Sequence, residues 1–379
     1  MSNNFNKDKQ KVLVAMSGGV DSSVAAALLK QRGYDLIGIT MTLSCSSKSS
    51  DKGCCSMDAA SDAKKVADIL GIPHYTLNFK DEFQKLVIDN FIEEYKNGRT
   101  PNPCVRCNQF IKFDHLLRKA KELGAEYIAT GHYARIVSPL TREPVSPFEK
   151  LANRQTGIPA YKLLKGLDPK KDQAYVLYTL TQEQLAHILF PLGELKKEEV
   201  RKLAKEFKLP VAEKAESQEI CFVEDDDYGR FIKEKLPEDA KPGAIVDKNG
   251  KVVGKHDGII FYTIGQRSGI GAHTKRKYVI GINARKNEII IGDDSDLFKN
   301  ELTAFNINYI SGNILENNLE VAAKVRYNSP EAPARLIPLG ESKAKVEFLK
   351  PQRAVTPGQS VVFYAEEEVI GGGIIQGGI

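Results

Sequence analysis

The sequence predicts an α/β protein in which a doubly wound parallel sheet is followed by a small central β-rich domain and a C-terminal β-barrel. Short β-type runs alternate with helical periods from Val12 to about Thr130, which is the pattern of a parallel sheet covered by helices. After about Asp227, Gly, Pro, Asn and Asp punctuate short alternating apolar runs, which is typical of all-β structure. We therefore expect three domains, at residues 1–228, 229–300 and 301–379.

The first domain has four predicted strands, at residues 12–16, 36–41, 74–79 and 127–130. Helical spacing of apolar residues predicts two helices between them, at Ala60, Ala63, Ala67 and Leu70, and at Leu116, Leu117, Ala120 and Leu123. Two further helices are indicated by a capping-box pattern at Thr181 and Gln184 and by a periodic segment at 198–207. A ligand site is expected at the carboxyl ends of the strands.

The later part of the chain carries four apolar runs that predict strands, at residues 259–262, 321–327, 344–348 and 360–364. The acidic stretch 293–296 indicates a linker or an exposed turn. The boundary between the second and third domains is therefore drawn near Asn300.

Composition bounds the class of protein. The chain has 379 residues, of which 42% are hydrophobic and 27% charged, as in soluble globular proteins. A net charge of +5 neither requires nor excludes a nucleic-acid partner, because binding depends on how the basic residues cluster. No stretch has the apolar length needed to cross a bilayer, and the first residues do not form a signal peptide. We expect a cytoplasmic protein without a membrane partner.

The turn at residues 17–23, with the sequence SGGVDSS, joins the first predicted strand to the first helix. Two glycines let the backbone approach an anion, and the N–H groups of the helix N-terminus and the hydroxyls can donate to it. Neither the Walker pattern nor the dinucleotide fingerprint fits this turn. The sequence therefore predicts a phosphate-binding loop of another kind, and the alternative is a plain turn that caps the helix through Asp21 or Ser22.

The six cysteines are the other chemically informative feature. Two residues separate Cys104 from Cys107, and Arg106 beside them is expected to lower the pKa of their thiols. They follow a Pro-rich segment at 98–103 that predicts an irregular, rigid loop. This spacing suits a zinc knuckle, a redox pair or an iron–sulfur ligand set equally well. A lone Cys221 is more often a small buried hydrophobic residue than a reactive one.

The loop at 17–23 resembles the SGGxDS loop of the PP-loop ATP pyrophosphatases, of the adenine nucleotide alpha hydrolase-like fold. Further motifs follow in the same order as in bacterial tRNA-specific 2-thiouridylases, which the chain resembles over nearly its whole length. They lie at residues 98–108, 130–134, 171–173, 217–222, 262–267 and 356–360.

The resemblance implies that ATP, with Mg²⁺, adenylates the C2 oxygen of the wobble uridine in tRNAs of the Lys, Glu and Gln type, and that sulfur then replaces this oxygen. It makes Cys107 the nucleophile and Cys221 the carrier of a persulfide, with a disulfide forming between them as sulfur is delivered. ATP-binding residues carried over from the family are Ala15, Met16, Ser17, Gly18, Gly19, Val20, Asp21, Ser22, Met41 and Gly131.

The same resemblance implies two sets of RNA contacts, with the target base and with the rest of the tRNA. The base is expected at Asn102, Pro103 and Cys104. The other contacts are expected at His132, Lys171, Asp172, Gln173, Arg326, Tyr327 and Gln359. The implied partners are tRNA and an upstream sulfur-relay protein or cysteine desulfurase, and the third domain is expected to bind tRNA.

Cys104 departs from the family pattern, because well-studied relatives have aspartate there. A carboxylate general base therefore cannot be carried over. Cys104, Cys107 and Cys221 together would suit a [4Fe–4S] cluster with one open iron, and sulfur transfer through such a cluster stays open. Two other readings also stay open, an amide-forming PP-loop ligase acting on a small metabolite and a non-catalytic tRNA-binding scaffold. Cys45, Cys54 and Cys55 are assigned no chemistry, and no further metal ligands are predicted.

Overall fold

The computed structural model describes residues 10–43, 57–138, 160–215, 220–223, 227–235, 237–238 and 240–376. Cys45, Cys54 and Cys55 lie outside the described residues. The chain divides into two compact units. The first unit combines Met1–Gln84 with Cys107–Phe222, and the second combines Lys85–Arg106 with Val223–Ile379.

The helices and strands in the described part of the chain are named in chain order. The α-helices are α1 Val20–Gln31, α2 Met57–Leu70, α3 Lys80–Phe83, α4 Asp89–Lys96, α5 Pro103–Arg106, α6 Leu116–Glu122, α7 Gln182–Leu185, α8 Lys197–Glu206 and α9 Tyr228–Lys235. The strands are β1 Lys11–Ala15, β2 Asp35–Thr42, β3 His74–Asn78, β4 Tyr127–Ala129, β5 Ala134–Val137, β6 Lys162–Lys165, β7 Ile188–Leu189, β8 Gly243–Asp247, β9 Val252–His256, β10 Tyr278–Asn283, β11 Glu288–Gly292, β12 Phe298–Tyr309, β13 Leu319–Lys324, β14 Ala332–Pro338, β15 Lys343–Arg353, β16 Ser360–Ala365 and β17 Glu368–Ile375.

The first unit contains a parallel sheet with the strand order β3-β2-β1-β4-β7. Strands β2 and β3 lie on one side of β1, whereas β4 and β7 lie on the other. The topology therefore reverses between β1 and β4, and doubly wound sheets bind their ligands at such a switch point. All four strands predicted for this domain are present, which confirms the predicted fold class.

Both faces of the central strand β1 are buried. Val12 and Val14 pack with apolar side chains of α1, α2 and α8, and Leu13 on the opposite face is also fully buried. A parallel strand covered on both faces carries a continuous apolar run rather than an alternating one. The sequence at 12–16, VLVAM, is such a continuous apolar run. It places the turn that follows β1 at the edge of a rigid core.

Two predicted helix signals are confirmed. The hydroxyl of Thr181 accepts from the N–H of Gln184, and the Gln184 side chain accepts from the N–H of Thr181, so that the capping box starts α7. Helix α8 covers the periodic segment predicted at 198–207 and buries Val200 and Ala204.

One prediction of local structure is confirmed, and one was wrong. The Pro-rich segment predicted to be irregular at 98–103 carries no helix or strand up to Asn102. Asn102 then accepts from the N–H of Val105, and Pro103 opens α5, a position that suits proline. A π-helical segment, Cys107–His115, follows directly. The run predicted as a strand at 259–262 contains a 3₁₀ turn at Ile259–Phe261. A short continuous apolar run does not distinguish a strand from a buried helical turn.

The second unit contains a small sheet and a barrel. The sheet has the order β10-β11-β8-β9, with β11 and β8 parallel and the outer pairs antiparallel. The barrel runs β12-β15-β14-β13-β16-β17 and closes where β17 pairs with β12. Closure removes exposed strand edges. No helix in the described ranges has the length and apolar character needed to span a membrane.

Candidate active site

The turn after β1 has a backbone that only glycine can adopt without strain. Gly18 has φ +68°, and a Cβ placed on it would lie 2.1 Å from the carbonyl oxygen of Ala59 in α2. Real Cβ atoms do not come so close to a backbone oxygen, and L-residues rarely adopt this φ. The loop is therefore held against the first turn of α2.

Hydroxyl groups brace the loop from inside. The N–H of Ser17 donates to Oγ of Ser22 over 3.1 Å, and Oγ of Ser23 donates to the carbonyl of Gly19 over 2.8 Å. Gly19 is the N-cap of α1, and among the described residues no side chain caps this helix end. The alternative in which Asp21 or Ser22 caps the helix is therefore not observed. Uncapped N–H groups at the positive end of a helix dipole fit a phosphate group.

The other predicted nucleotide-binding residues lie beside this loop. Oγ1 of Thr40 donates to the carbonyl of Met16 over 2.8 Å, so that the end of β2, with Met41, runs next to the start of the loop. Gly131 follows β4, and a Cβ placed on it would lie 2.8 Å from the N atom of Ser22. The carboxyl ends of β1, β2 and β4 thus bring these residues together at the switch point of the sheet.

Lys197 is a loop contact that the sequence analysis missed. Its Nζ lies 2.6 Å from Oδ1 and 2.8 Å from Oδ2 of Asp21 in the loop. Oδ1 also accepts from the hydroxyl of Tyr133 over 2.8 Å, and the N–H of Lys197 donates to Asp168 over 3.0 Å. The position of Lys197 in the sequence could have indicated this ion pair. A lysine at the first position of a helix opposes the helix dipole and needs an acidic partner.

A second lysine contacts the same loop from another side. Nζ of Lys214 donates to the carbonyl of Gly18 over 3.1 Å and forms an ion pair of 2.8 Å with Asp62 of α2. The hydrogen bond from Lys214 lowers the pKa of Asp62 and outweighs the partial burial of this carboxyl, which raises it. Each of the two lysines is thus paired with a carboxylate, Asp21 or Asp62, beside the expected phosphate site.

Cys107 and Cys221 belong to the first unit, in segments that both contact α3. Cys107 is buried at the start of the π-helical segment, which packs against α3. Cys221 is half-buried, and the ring of the adjacent Phe222 meets Phe83 of α3 edge-on at 5.6 Å between centroids. Helix α3 is therefore a common neighbour of the two segments that carry the predicted catalytic thiols.

Asn108 fixes the segment next to Cys107. Its Nδ2 donates to the carbonyl of Val176 over 3.1 Å, and the residue is almost fully buried. This contact joins the helix of Cys107 to the 3₁₀ turn Ala174–Leu177. That turn follows the predicted RNA-binding residues 171–173 directly.

The segment expected to meet the target base lies in the second unit. Asn102 uses its Oδ1 to cap α5, while Cys104 in the first turn of that helix is exposed. Nε of Arg106 donates to the carbonyl of Leu86 over 2.8 Å, so that this guanidinium is partly engaged by the backbone.

Most of the residues expected to meet RNA in the first unit have internal partners. His132 is 7% exposed, packs against Phe113 and Phe190, and shares a hydrogen bond of 2.7 Å with Thr130. Burial, with a smaller contribution from Lys112, lowers the pKa of His132 well below its usual value, so that the ring is neutral at neutral pH.

The neighbouring motif at 171–173 is ordered by its own side chains. Oε1 of Gln173 accepts from the N–H of Tyr133 over 3.0 Å. Oδ1 of Asp172 accepts from Gly166 over 2.9 Å and from Ala174 over 3.1 Å. Gln173 thus holds this motif, with Lys171, beside the segment of His132.

The predicted RNA contacts of the second unit differ in exposure. Tyr327 is 39% exposed, and Nζ of Lys324 lies 5.7 Å from the centroid of its ring. Nη2 of Arg326 donates to the carbonyls of Ile264 and Ala354 over 2.9 and 3.0 Å. Nε2 of Gln359 donates to backbone carbonyls of the segment before Asn102.

No three His, Cys, Asp or Glu side chains within the described ranges come together as a group that could hold a metal ion. The [4Fe–4S] cluster on Cys104, Cys107 and Cys221 stays a prediction. A magnesium ion would need few protein ligands, because it usually binds through substrate phosphates and one or two carboxylates. Asp21 is the carboxylate that the loop offers.

Three family models cover the chain. The tRNA methyl transferase HUP domain matches residues 10–225, the tRNA methyl transferase PRC-barrel domain matches 229–293, and the aminomethyltransferase beta-barrel domain matches 299–375.

The chain is also similar over nearly its whole length to proteins named tRNA-specific 2-thiouridylase MnmA. It is 50% identical to that of Clostridium acetobutylicum over 371 residues, which covers 97% of this chain and 99% of the relative. Identity is 51% over 373 residues with the protein of Acetivibrio thermocellus, with 97% and 99% covered. It is 52% over 371 residues with MnmA 2 of Thermoanaerobacter sp., with 97% and 98% covered.

Proposed function

This chain belongs to the family of tRNA-specific 2-thiouridylases, and from that premise we propose that it uses ATP to replace the C2 oxygen of the wobble uridine in tRNAs of the Lys, Glu and Gln type with sulfur. One observation carries the chemical part of the proposal. The glycine loop, Met41 and Gly131 meet at the switch point of the sheet, beside Lys197 and Lys214.

The first step activates the uridine. A uracil carbonyl oxygen is a poor leaving group until it carries a phosphoryl group. The C2 oxygen attacks the α-phosphorus of ATP, and pyrophosphate leaves. The N–H groups at residues 17–22 and the start of α1 stabilise the charge on this pyrophosphate. Asp21 is the loop carboxylate that would help to hold Mg²⁺, and the ion would neutralise part of that charge.

The second step delivers sulfur from a persulfide on Cys221. The thiolate of Cys107 attacks the Cys221 sulfur of this persulfide, which forms a Cys107–Cys221 disulfide and releases hydrosulfide. The hydrosulfide attacks C2 of the activated uridine, and AMP leaves with the former C2 oxygen. The outer persulfide sulfur gains two electrons, and the two cysteines lose two. A thiol reductant must restore them before the next turnover.

The remaining assignments follow the family. Asn102, Pro103 and Cys104 would contact the target base, and His132, Lys171, Asp172, Gln173, Arg326, Tyr327 and Gln359 would contact or orient the rest of the tRNA. Residues 1–228 would form the catalytic domain, 229–300 the central domain and 301–379 the tRNA-binding barrel. An upstream relay protein or cysteine desulfurase would load Cys221, and the reaction would take place in the cytoplasm.

The proposal is tested with the variants Cys107→Ser and Cys221→Ser, purified and given ATP, a persulfide-forming sulfur donor and unmodified tRNA. Each variant should make no 2-thiouridine, as read by mass spectrometry of the tRNA, because serine neither carries a persulfide nor reduces one. Each should still bind ATP and release pyrophosphate when tRNA is added. Unchanged thiolation in either variant would contradict the assignment of that cysteine.

The comparisons do not favour the amide-forming ligase. That reading requires pyrophosphate release driven by a small metabolite without RNA, and the same assay measures it. A non-catalytic scaffold would release no pyrophosphate with any substrate.

A further inference from the structure

The segment that leads to Asn102 is attached to one turn of the barrel. We name residues 98–103 the presenting loop, because they lead into the expected contacts with the target base at 102–104. Nε2 of Gln359 donates to the carbonyls of Thr100 and Pro101, both over 3.0 Å. The N–H of Thr100 in turn donates to the carbonyl of Pro357 over 2.8 Å. Three hydrogen bonds therefore join the loop to residues 357–359.

Backbone groups come unusually close on this side of the loop. Gly358 has φ +88°, and a Cβ placed on it would lie 3.0 Å from the N and O atoms of Thr100 and from Cβ of Arg99. The hydroxyl of Thr100 also bonds that of Thr263. Side chains at position 358 would push the loop away, so the approach depends on glycine.

The barrel turn is itself held in place. Arg326 donates from Nη2 to the hydroxyl of Thr356, to the carbonyl of Ala354 and to that of Ile264. Thr356 is fully buried. One guanidinium thus braces the turn whose next residues bind the presenting loop.

The donor count at Gln359 limits what its side chain can contact. A glutamine amide nitrogen has two hydrogens, and the carbonyls of Thr100 and Pro101 take both. The side chain then has only its oxygen left, which cannot bond a phosphate oxygen because both are acceptors. We propose that Gln359 is a positioning residue that fixes the presenting loop, and through it Asn102, Pro103 and Cys104, for reaction with the target base.

This inference rests on the proposed function and adds a kinetic signature to it. A contact with the tRNA body, if removed, raises KM for tRNA and leaves kcat unchanged. Loss of a loop brace acts on the bound complex, because a loop that samples other positions presents the base less often in reactive geometry. Gln359→Met, which keeps the shape and loses the donors, should lower kcat about tenfold, equivalent to about 1.4 kcal/mol, with KM for tRNA within about twofold of the parent.

The control is Gln352→Met, because the bond that Gln352 makes with its amide within the described part of the chain is a local one, to the carbonyl of Lys350 in the same strand. It should leave kcat and KM unchanged. Hydrogen exchange gives a readout without RNA. The peptide that contains the N–H of Thr100 should exchange several-fold faster in Gln359→Met than in the parent or the control. Gln359→Asn, whose shorter amide cannot reach both carbonyls, carries the same test if the Met variant does not fold.

A rise in KM for tRNA with unchanged kcat, or unchanged exchange at Thr100, would overturn the inference. Failure of the parent protein to thiolate uridine would count against the proposed function instead. The exchange measurement separates the two cases, because it needs neither ATP nor tRNA.

Discussion

The ammonium group of Lys197 lies 2.6 and 2.8 Å from the two carboxylate oxygens of Asp21, although the residues are 176 positions apart. The lysine side chain is 10% exposed and the aspartate 33%. The pair joins the first turn of α8 to the first turn of α1, directly after the glycine loop. Tyr133 binds the same carboxylate. Asp21 is thus held on two sides, and its charge is balanced where phosphate groups are expected.

Lys197→Met should weaken ATP binding about tenfold or more. The variant removes a charge-assisted hydrogen bond, worth about 1.5–3 kcal/mol, and leaves the Asp21 charge uncompensated beside an anion site. Titration calorimetry with ATP measures the change. Lys202→Met on the same helix is the control, because Lys202 is 79% exposed in an ion pair of 3.8 Å, and it should bind ATP as the parent does. Equal affinities for all three proteins would exclude a role for Lys197 in the nucleotide site.

Gly18→Ala should abolish ATP binding or prevent folding. Its φ of +68° and the distance of 2.1 Å from a new Cβ to the Ala59 carbonyl require the backbone to move. Gly33→Ala is a matched control, because Gly33 has φ +88° but no atom within 4 Å of the new Cβ. The control should lose only about 1 kcal/mol of unfolding free energy, from backbone strain. Urea unfolding and ATP titration on both variants check this, and a Gly18→Ala protein that binds ATP normally would refute the role given to the loop.

Cys104→Ser should retain most of the thiolation activity. On the persulfide route only Cys107 and Cys221 exchange electrons, and Cys104 is an exposed residue of α5. A cluster held by three cysteines would instead lose a ligand and its activity together. Mass spectrometry of the tRNA product gives the activity. An absorption spectrum with iron analysis of anaerobically purified protein reports on the cluster directly, and iron-dependent activity that is lost in this variant would favour the cluster route.

His132 should make the folded protein less stable in mild acid. Burial lowers the pKa of His132 in the folded state, whereas the imidazole in the unfolded chain titrates near its ordinary pKa of about 6.5. As the pH falls below that value, the unfolded state binds the proton first, so the free energy of unfolding decreases by at most about 1.4 kcal/mol per pH unit. Above it both states are neutral, and this contribution disappears.

Urea unfolding of the parent and of His132→Gln at about pH 7.5 and about pH 5.5 tests this sign. The parent should lose more stability between the two conditions than the variant. His74 and His256 also have lowered pKa values from burial, but they are present in both proteins and cancel in the difference. An equal loss in both proteins would show that His132 does not contribute.

Sequence reasoning succeeded where structure is local. The apolar run at 12–16, the turn SGGVDSS and the helix after it lie within about twenty residues, and periodicity, glycine content and helix-end chemistry act over that range. It failed at 259–262, where one apolar run is compatible with both a strand and a buried helical turn. It also did not predict helix α5. Pro103 was assigned to the Pro-rich loop, although proline is common at the first position of a helix.

The sequence by itself determined the fold class, the place of the phosphate loop after the first strand and the family motifs, because each depends on residue types at short spacing. Only the tertiary structure decided which distant side chains support that chemistry. Lys197 reaches Asp21 across 176 residues, and Gln359 reaches Thr100 across 259. In neither pair does the sequence around one residue identify the other. Such contacts arise from how strands and helices pack, not from the spacing of residues along the chain.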